Sequence, residues 1–341
     1  MDLWIPAHRA VDGEAGPLTM GYHTRADLPF YDALADAFTI CDGYHCSIMG
    51  PTHPNRYYLW TATVDPEGRH GGPAIDNHPR RFTWETYPER LQRAGITWRI
   101  YHELDDYGCN VCKHFPAFAD ASAGSELYEN AMRTRSLAEL LDDLRHGNIP
   151  QVTWILPPSH VTEHPDYLPA AGEDHTRMVL EALWSNPHLW SRTALILNYD
   201  ENDGLFDHVP PPVPDPDTPG EFIGGVPIGL GFRVPCLVIS PFSRGGYVCS
   251  ETFDHTSVLR LIEARFGVEV ANLTKWRREL CGDLTRTFGF NEPPKLESPT
   301  LPETEAALRR AQTALATLPR PTVPFAQKMP RQEPGTRPRR A

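Results

Sequence analysis

A chain of 341 residues is long enough for one large α/β domain or two small ones, and we read it as one large domain. Its 44 acidic and 32 basic residues leave a formal net charge of −12, which argues against nucleic acid or an anionic membrane as partner and leaves a neutral zwitterionic surface open. No apolar run reaches the ~18 positions a membrane span needs, and MDLWIPAHRA lacks the basic lead and apolar stretch of a signal peptide.

In chain order, residues 1–25 read as irregular. Asp27 to Phe38 reads as a helix with Leu28, Tyr31, Leu34 and Phe38 on one face, running into a buried strand over Phe38 to Cys41 that Asp42-Gly43 ends. Gly50-Pro51 then restricts the backbone ahead of Thr52, and Pro54 suits the first turn of a helix, so Thr52 falls at a helix N-terminus. The polar loop 65–80 carries His70 and His78 as solvated residues. Ile96, Trp98 and Ile100 alternate as in a half-buried strand, with His102 at its end. Glu126 to His146 reads as one helix stopped by Gly147, QVTWILPP as a strand, and DHTRMVLEALWSN as a helix capped by Asp174 and His175. Ala194 to Leu197 is an apolar run of central parallel-strand character, ending in Asp200-Glu201. PCLVISP is a further buried strand. Asp254 and Thr256 open the next helix, with His255 between them as a brace ranked below His164. From about Glu292 a peripheral helix gives way to an extended, basic, proline-rich tail.

Two places carry chemistry. At a helix N-terminus the Thr52 hydroxyl sits among unpaired N–H groups and the positive dipole end, a place suited to a phosphate; the alternative is a plain N-cap. Asn55 and Arg56 follow, one a hydrogen-bonding amide and the other able to form a two-pronged contact with oxygens. Asp200 and Glu201 are two adjacent carboxylates beyond a buried strand, a costly pairing that a divalent cation would resolve; the alternative is a solvated turn. Asp207 and His208 lie within one loop of them. His102, at the carboxyl end of a strand, is a candidate substrate contact or a simple strand cap. The seven cysteines are an odd count, and Cys109 and Cys112 form a lone C-x-x-C, read as a local disulfide or plain buried thiols.

The stretch FTICDGYHCSIMGPTHPNR, together with MGYHTRADLPFYDALADAF, SHVTEHPDYLPAAGEDH, NYDENDGLFDHVPPP, GFRVPCLVISPFSRGGYVCSETFDHTSVLRLIEARFGV and WRRELCGDLTRTFGF, covers most of residues 20–290. The chain resembles the bacterial phosphoesterases that include phosphatidylcholine-type phospholipase C and certain acid phosphatases, distant relatives of alkaline phosphatase. The resemblance implies an α/β, alkaline phosphatase-like fold with a central, mostly parallel sheet flanked by helices. It implies a catalytic domain over 1–291 with its N-terminal part, where the family carries a metal-binding Glu-Asn pair, missing; 292–341 would be the peripheral helix and tail. By position it makes Thr52 the nucleophile of a phospho-threonine mechanism and Asp200, Glu201 and Thr52 the ligands of a divalent metal ion. His164 would assist the leaving group, with His102 or His208 beside it; the substrate-steadying role of Asn55 and Arg56 rests on their side-chain chemistry, which the resemblance leaves open. The implied activity is phospholipase C-type phosphodiester hydrolysis of phosphatidylcholine-like lipids. The alternatives are an acid phosphatase-type monoesterase and a catalytically inactive truncated homologue. The implied setting is extracytoplasmic or secreted. The implied partner is a phospholipid or phosphate ester, with membrane contact only through it, no nucleic acid and no obligate protein partner.

Overall fold

The computed structural model describes residues 2–326, 331 and 334–340. Its strands, in chain order, are β1 (Thr39–Cys41), β2 (Trp98–Tyr101), β3 (Val152–Ile155), β4 (Leu195–Asn198), β5 (Phe222–Ile223), β6 (Val226–Pro227), β7 (Cys236–Ile239), β8 (Val248–Cys249) and β9 (Arg339–Arg340). They form a five-stranded sheet in the order β4-β7-β1-β8-β9, a separate parallel pair β2-β3, and the small hairpin β5-β6. β7 runs antiparallel to both β1 and β4, whereas β8 is parallel to β1 and β9.

Two helical layers enclose both sheets. On one side the helices Thr52–Thr61 and His255–Phe266 bury Tyr57, Tyr58, Trp60 and Leu259 against Trp98, Ile100, Val152 and Trp154. On the other side Leu34, Leu140 and Leu180, from three further helices, pack with Tyr101 of β2 and with Leu237 and Ile239 of β7. Each fully buried Leu of this kind contributes about 1.5–3 kcal/mol relative to exposure. Tyr101 shares a core with β7 although no ladder joins their sheets, and helices flank the central sheet as the fold class expects; the expected parallel order holds for β2-β3 and β1-β8-β9, while β7 makes the central sheet mixed. All four residues of β7 are buried, as the apolar PCLVISP run requires of an interior strand.

Several expected elements differ. The run expected over 194–197 falls in β4 (Leu195–Asn198), a half-buried edge strand antiparallel to β7; an apolar run does not reveal whether it has one neighbour or two. The segment 126–146 is two helices, Glu126–Ala131 and Leu137–His146. The break lets the Arg135 N–H reach the His102 carbonyl at 2.8 Å, and Ser136 caps the second helix by accepting from the Glu139 N–H. The later helix begins at Pro169, so Asp174 and His175 lie within it and cap nothing. Trp4–Asp12, read as irregular, is helical. The peripheral helix is Glu305–Thr317. Part of the tail (327–330, 332–333 and 341) lies outside the described residues, but β9 pairs with β8 and the Arg340 guanidinium sits 4.0 Å over the Tyr247 ring. All seven cysteines are unbridged and buried, so Cys109 and Cys112 are plain buried thiols. Among the described residues no helix is long and apolar enough to cross a membrane.

Candidate active site

The loop after β1 delivers Thr52, and Asn55 sets its shape. The Asn55 carbonyl oxygen accepts from the backbone N–H groups of Ser47 (2.8 Å) and Ile48 (3.1 Å). Its amide donates to the carbonyls of Ile48, Gly50 and Pro51 at 3.0–3.3 Å. Asn55 is fully buried, and with both of its polar atoms spent on the loop it positions Thr52 and leaves nothing for substrate oxygens. That corrects its expected role.

The helix Thr52–Thr61 is capped by Pro51, and the Thr52 side chain makes no capping bond. Instead its hydroxyl donates to Glu201 Oε1 at 2.8 Å, across 149 positions of chain. One helical turn on, Arg56 Nε donates to Asp200 Oδ2 at 3.1 Å; positions i and i+4 share a helix face, so one face of this helix meets the adjacent carboxylates beyond β4. The plain N-cap and solvated-turn alternatives both fall here. Burial, and then the Asp200 charge, raise the Glu201 pKa from its ordinary value, against the lowering effects of the Thr52 hydrogen bond and Arg56. Asp203 is pushed up to about 7 by burial and by the Glu201 and Asp200 charges. The pocket therefore carries more negative charge than its one paired arginine balances.

His255 lies closer to this centre than its sequence ranking suggested. It is fully buried, and its Nε2–H donates to the Asp200 carbonyl at 2.8 Å. That assigns Nδ1 as acceptor for the Tyr44 hydroxyl at 3.0 Å, and burial lowers the His255 pKa, keeping the ring neutral. Below it, Asp254 caps the His255–Phe266 helix through the Thr256 N–H and accepts from Ser47 Oγ and Arg277 Nη1. Arg277, wholly buried, also pairs with Glu221 through Nε and Nη2 and donates to the carbonyls of Ser47 and Gly229. Its guanidinium lies 4.0 Å over the Tyr58 ring. Sequence reasoning missed Arg277; the only signal was its place in WRRELCG.

The other predicted histidines, His164, His102 and His208, have their hydrogen-bond and ionic partners elsewhere than Thr52 and Glu201. His164 is about one-third exposed and its ring meets that of Tyr107 at a tilt, 4.8 Å between centroids; its Nδ1 lies 3.2 Å from the Tyr107 hydroxyl and 3.4 Å from Asp166. His102 is buried, with Nδ1 near Asp106 (3.3 Å) and the Glu103 carbonyl and Nε2 near Asn110 (3.3 Å). Those contacts tie down the strand end and correct its expected place beside the reacting group. His208 is 78% exposed, with Asp207 its nearest ionic partner at 3.9 Å, and Asp207 itself is held by Arg233. His208 is a solvent-facing loop residue, and the expectation that it reaches the site is corrected.

A hydroxyl nucleophile candidate, two carboxylates and an arginine at a helix N-terminus are the makings of a phosphate-ester centre. The Phosphoesterase family model matches residues 1–269, and the chain belongs to that family. It is 43% identical over 370 aligned residues to the non-hemolytic phospholipase C of Pseudomonas aeruginosa, covering 100% of this chain and 52% of that protein. It is likewise 43% identical to phospholipase C B of Mycobacterium tuberculosis, covering 97% of this chain and 70% of that one. The chain thus spans about half the length of the Pseudomonas relative. Among solved structures, an alkaline phosphatase superfamily protein from Vibrio parahaemolyticus overlaps 82% of this chain and 66% of its own, at 13% identity and a TM-score of 0.41.

Proposed function

We propose that this chain is the catalytic core of a metal-dependent phosphoesterase that hydrolyses the phosphodiester of phosphatidylcholine-like lipids in phospholipase C fashion, with Thr52 as nucleophile. The observation that carries it is the hydrogen bond from the Thr52 hydroxyl to Glu201 Oε1, made at the first turn of a helix whose next turn pairs Arg56 with Asp200. Glu201 Oε1 directs the hydroxyl proton away from an incoming phosphorus and is placed to accept it as the Thr52 Oγ1–P bond forms. The leaving alcohol departs with a proton, for which we assign His164, about one-third exposed, as donor. Water then breaks the Oγ1–P bond and returns the threonine. The helix N-terminus and the Arg56 guanidinium favour the phosphoryl oxygens.

The donor set fits a hard divalent cation: the Asp200 and Glu201 carboxylates and the Thr52 hydroxyl are oxygen ligands, and the raised pKa values of Glu201 and Asp203 mark an acidic field short of counter-charge. When bound, such an ion would neutralise charge on the phosphoryl oxygens and make the threonine hydroxyl more acidic.

Two observations favour a second reading, a binding protein without turnover. Arg56 already pairs with Asp200, and among the described residues no group of three His, Cys, Asp or Glu side chains stands ready to hold a metal. Hydrolysis of p-nitrophenyl phosphorylcholine and of p-nitrophenyl phosphate, each with a series of divalent ions, separates the readings. The proposal expects metal-stimulated release from the diester well above that from the monoester. The reverse preference supports a monoesterase, and no release from either supports the binding protein. The extracytoplasmic setting belongs to the same proposal and is read from the location of the expressed protein.

A further inference from the structure

Three of the buried cysteines stand in one row across the sheet. The antiparallel register sets Thr39 against Val238 and Ile40 against Leu237, which brings Cys41 opposite Cys236 on the next rung. The parallel register on the other side of β1 sets Cys41 against Cys249. Residues opposite one another on neighbouring strands project to the same face. All three thiols therefore line one face, with Cys41 in the middle, and each is at most 3% exposed.

The two sides of Cys41 are not equivalent. The N–H groups of Ile40 and Asp42 donate to Tyr247 and Cys249 of the β8 side, so the Cys41 peptide faces β7, with Cys236 opposite it one rung beyond the paired residues. Residues opposite one another on antiparallel strands hold their Cα atoms about 4.5–5.5 Å apart, inside the roughly 4.4–6.8 Å window a disulfide accepts. The pairing is felt at the sulfur: the Cys236 thiol, and then burial, push the Cys41 thiol well above its ordinary range. Other thiols face oxygen. Cys46 Sγ donates to the Ile48 carbonyl at 3.6 Å and Cys109 Sγ to the Tyr107 carbonyl at 3.9 Å, while Cys281 is hydrogen-bonded to Asp254.

We propose that Cys41 and Cys236 are an oxidation site that a small peroxide closes into a disulfide bridging β1 and β7, the strand that feeds the Thr52 loop and its neighbour. The Cys41 thiol gives up its proton as its sulfur attacks one peroxide oxygen and the O–O bond breaks, giving a sulfenic acid and water. The Cys236 thiol then loses its proton, its sulfur bonds to that of Cys41, and the sulfenic hydroxyl leaves as water. Two thiols are oxidised and one peroxide is reduced, with no further reactant. Burial restricts the oxidant to one of peroxide size.

The test treats the folded full chain with hydrogen peroxide at pH 8, removes the excess with catalase, and counts thiols with Ellman's reagent in guanidinium. The seven thiols should fall to five and return to seven with dithiothreitol. A non-reducing peptide map should show the Cys41 and Cys236 peptides joined and two hydrogens lighter. C249A should lose two of its six thiols with the same joined peptides, while C41A and C236A should each keep all six. Either of these last variants could lose the fold, so the wild-type peptide map is the deciding readout. The proposal is overturned if seven thiols survive, if the joined peptides are Cys109–Cys112 or Cys41–Cys249, or if Cys41 gains two oxygens without joining a partner.

Discussion

Arg277 is the residue whose removal should do most damage for the least change in volume. It is fully buried between Glu221 and Asp254, both themselves without exposure, and five of its hydrogen bonds, to Glu221 twice, Asp254, Ser47 and Gly229, lie at 2.9–3.0 Å. Arg277→Met keeps most of the side-chain bulk but leaves the Glu221 carboxylate with the Thr274 hydroxyl (2.6 Å) as its side-chain partner and deprives the Ser47 and Gly229 carbonyls of donors. Breaking a buried pair from one side costs about 3–5 kcal/mol, chiefly through the stranded charge. At about 2 °C per kcal/mol for a chain of this size, the melting midpoint should fall by roughly 6–10 °C. The same reasoning predicts that Glu221→Met/Arg277→Met is at least about 1 kcal/mol more stable than Arg277→Met alone, because the double change removes the charge the single one strands. Guanidinium unfolding followed by fluorescence measures both. An Arg277→Met loss below about 1 kcal/mol, or a double variant as unstable as the sum of its singles, would refute the account of this network.

Asn55→Ala leaves the Ser47 and Ile48 N–H groups without their acceptor, so it should cost about 2–4 kcal/mol and, at temperatures where the variant stays folded, slow hydrolysis at least tenfold; a rate within twofold of wild type would show that the loop holds Thr52 without it. Asp203, raised from 3.8 to about 7, binds its proton more tightly folded than unfolded, so its contribution to stability declines as pH climbs from about 4 to 7. Asp203→Asn should therefore gain about 1–2 kcal/mol at pH 8, allowing for screening at a partly exposed group, and nothing at pH 3.5 in chelator-treated protein. An equal gain at both pH values would contradict this. His164→Asn should leave stability within about 0.5 kcal/mol yet reduce turnover about 10²-fold if His164 supplies the leaving-group proton; unchanged turnover would remove it from the mechanism.

The parts of the site written in local chemistry were legible. Gly50-Pro51 ahead of Thr52, with Pro54 two residues on, specify a helix start, and the helix begins at Thr52. The Asp200-Glu201 pair after an apolar run lies beyond the end of β4. What failed depends on which partner a side chain finds once the chain has folded. Nothing around Asn55 announces that its amide turns back onto residues 47–51, because a buried amide and a substrate-binding amide are the same letter. His255 lay between two capping residues, and its bond to the Asp200 carbonyl spans 55 positions. The division of 126–146 was readable: Ser136 followed three positions later by Glu139 is a helix-start pattern, and the leucine periodicity running through it hid the stop.

The most direct measurement compares Thr52→Ala and Thr52→Ser in metal-supplemented hydrolysis of p-nitrophenyl phosphorylcholine, with folding verified by circular dichroism. If the Thr52 hydroxyl bound to Glu201 is the nucleophile, alanine should cost at least about 10³-fold in kcat while serine, which keeps the hydroxyl, retains measurable turnover. A folded alanine variant working within tenfold of wild type would contradict that assignment.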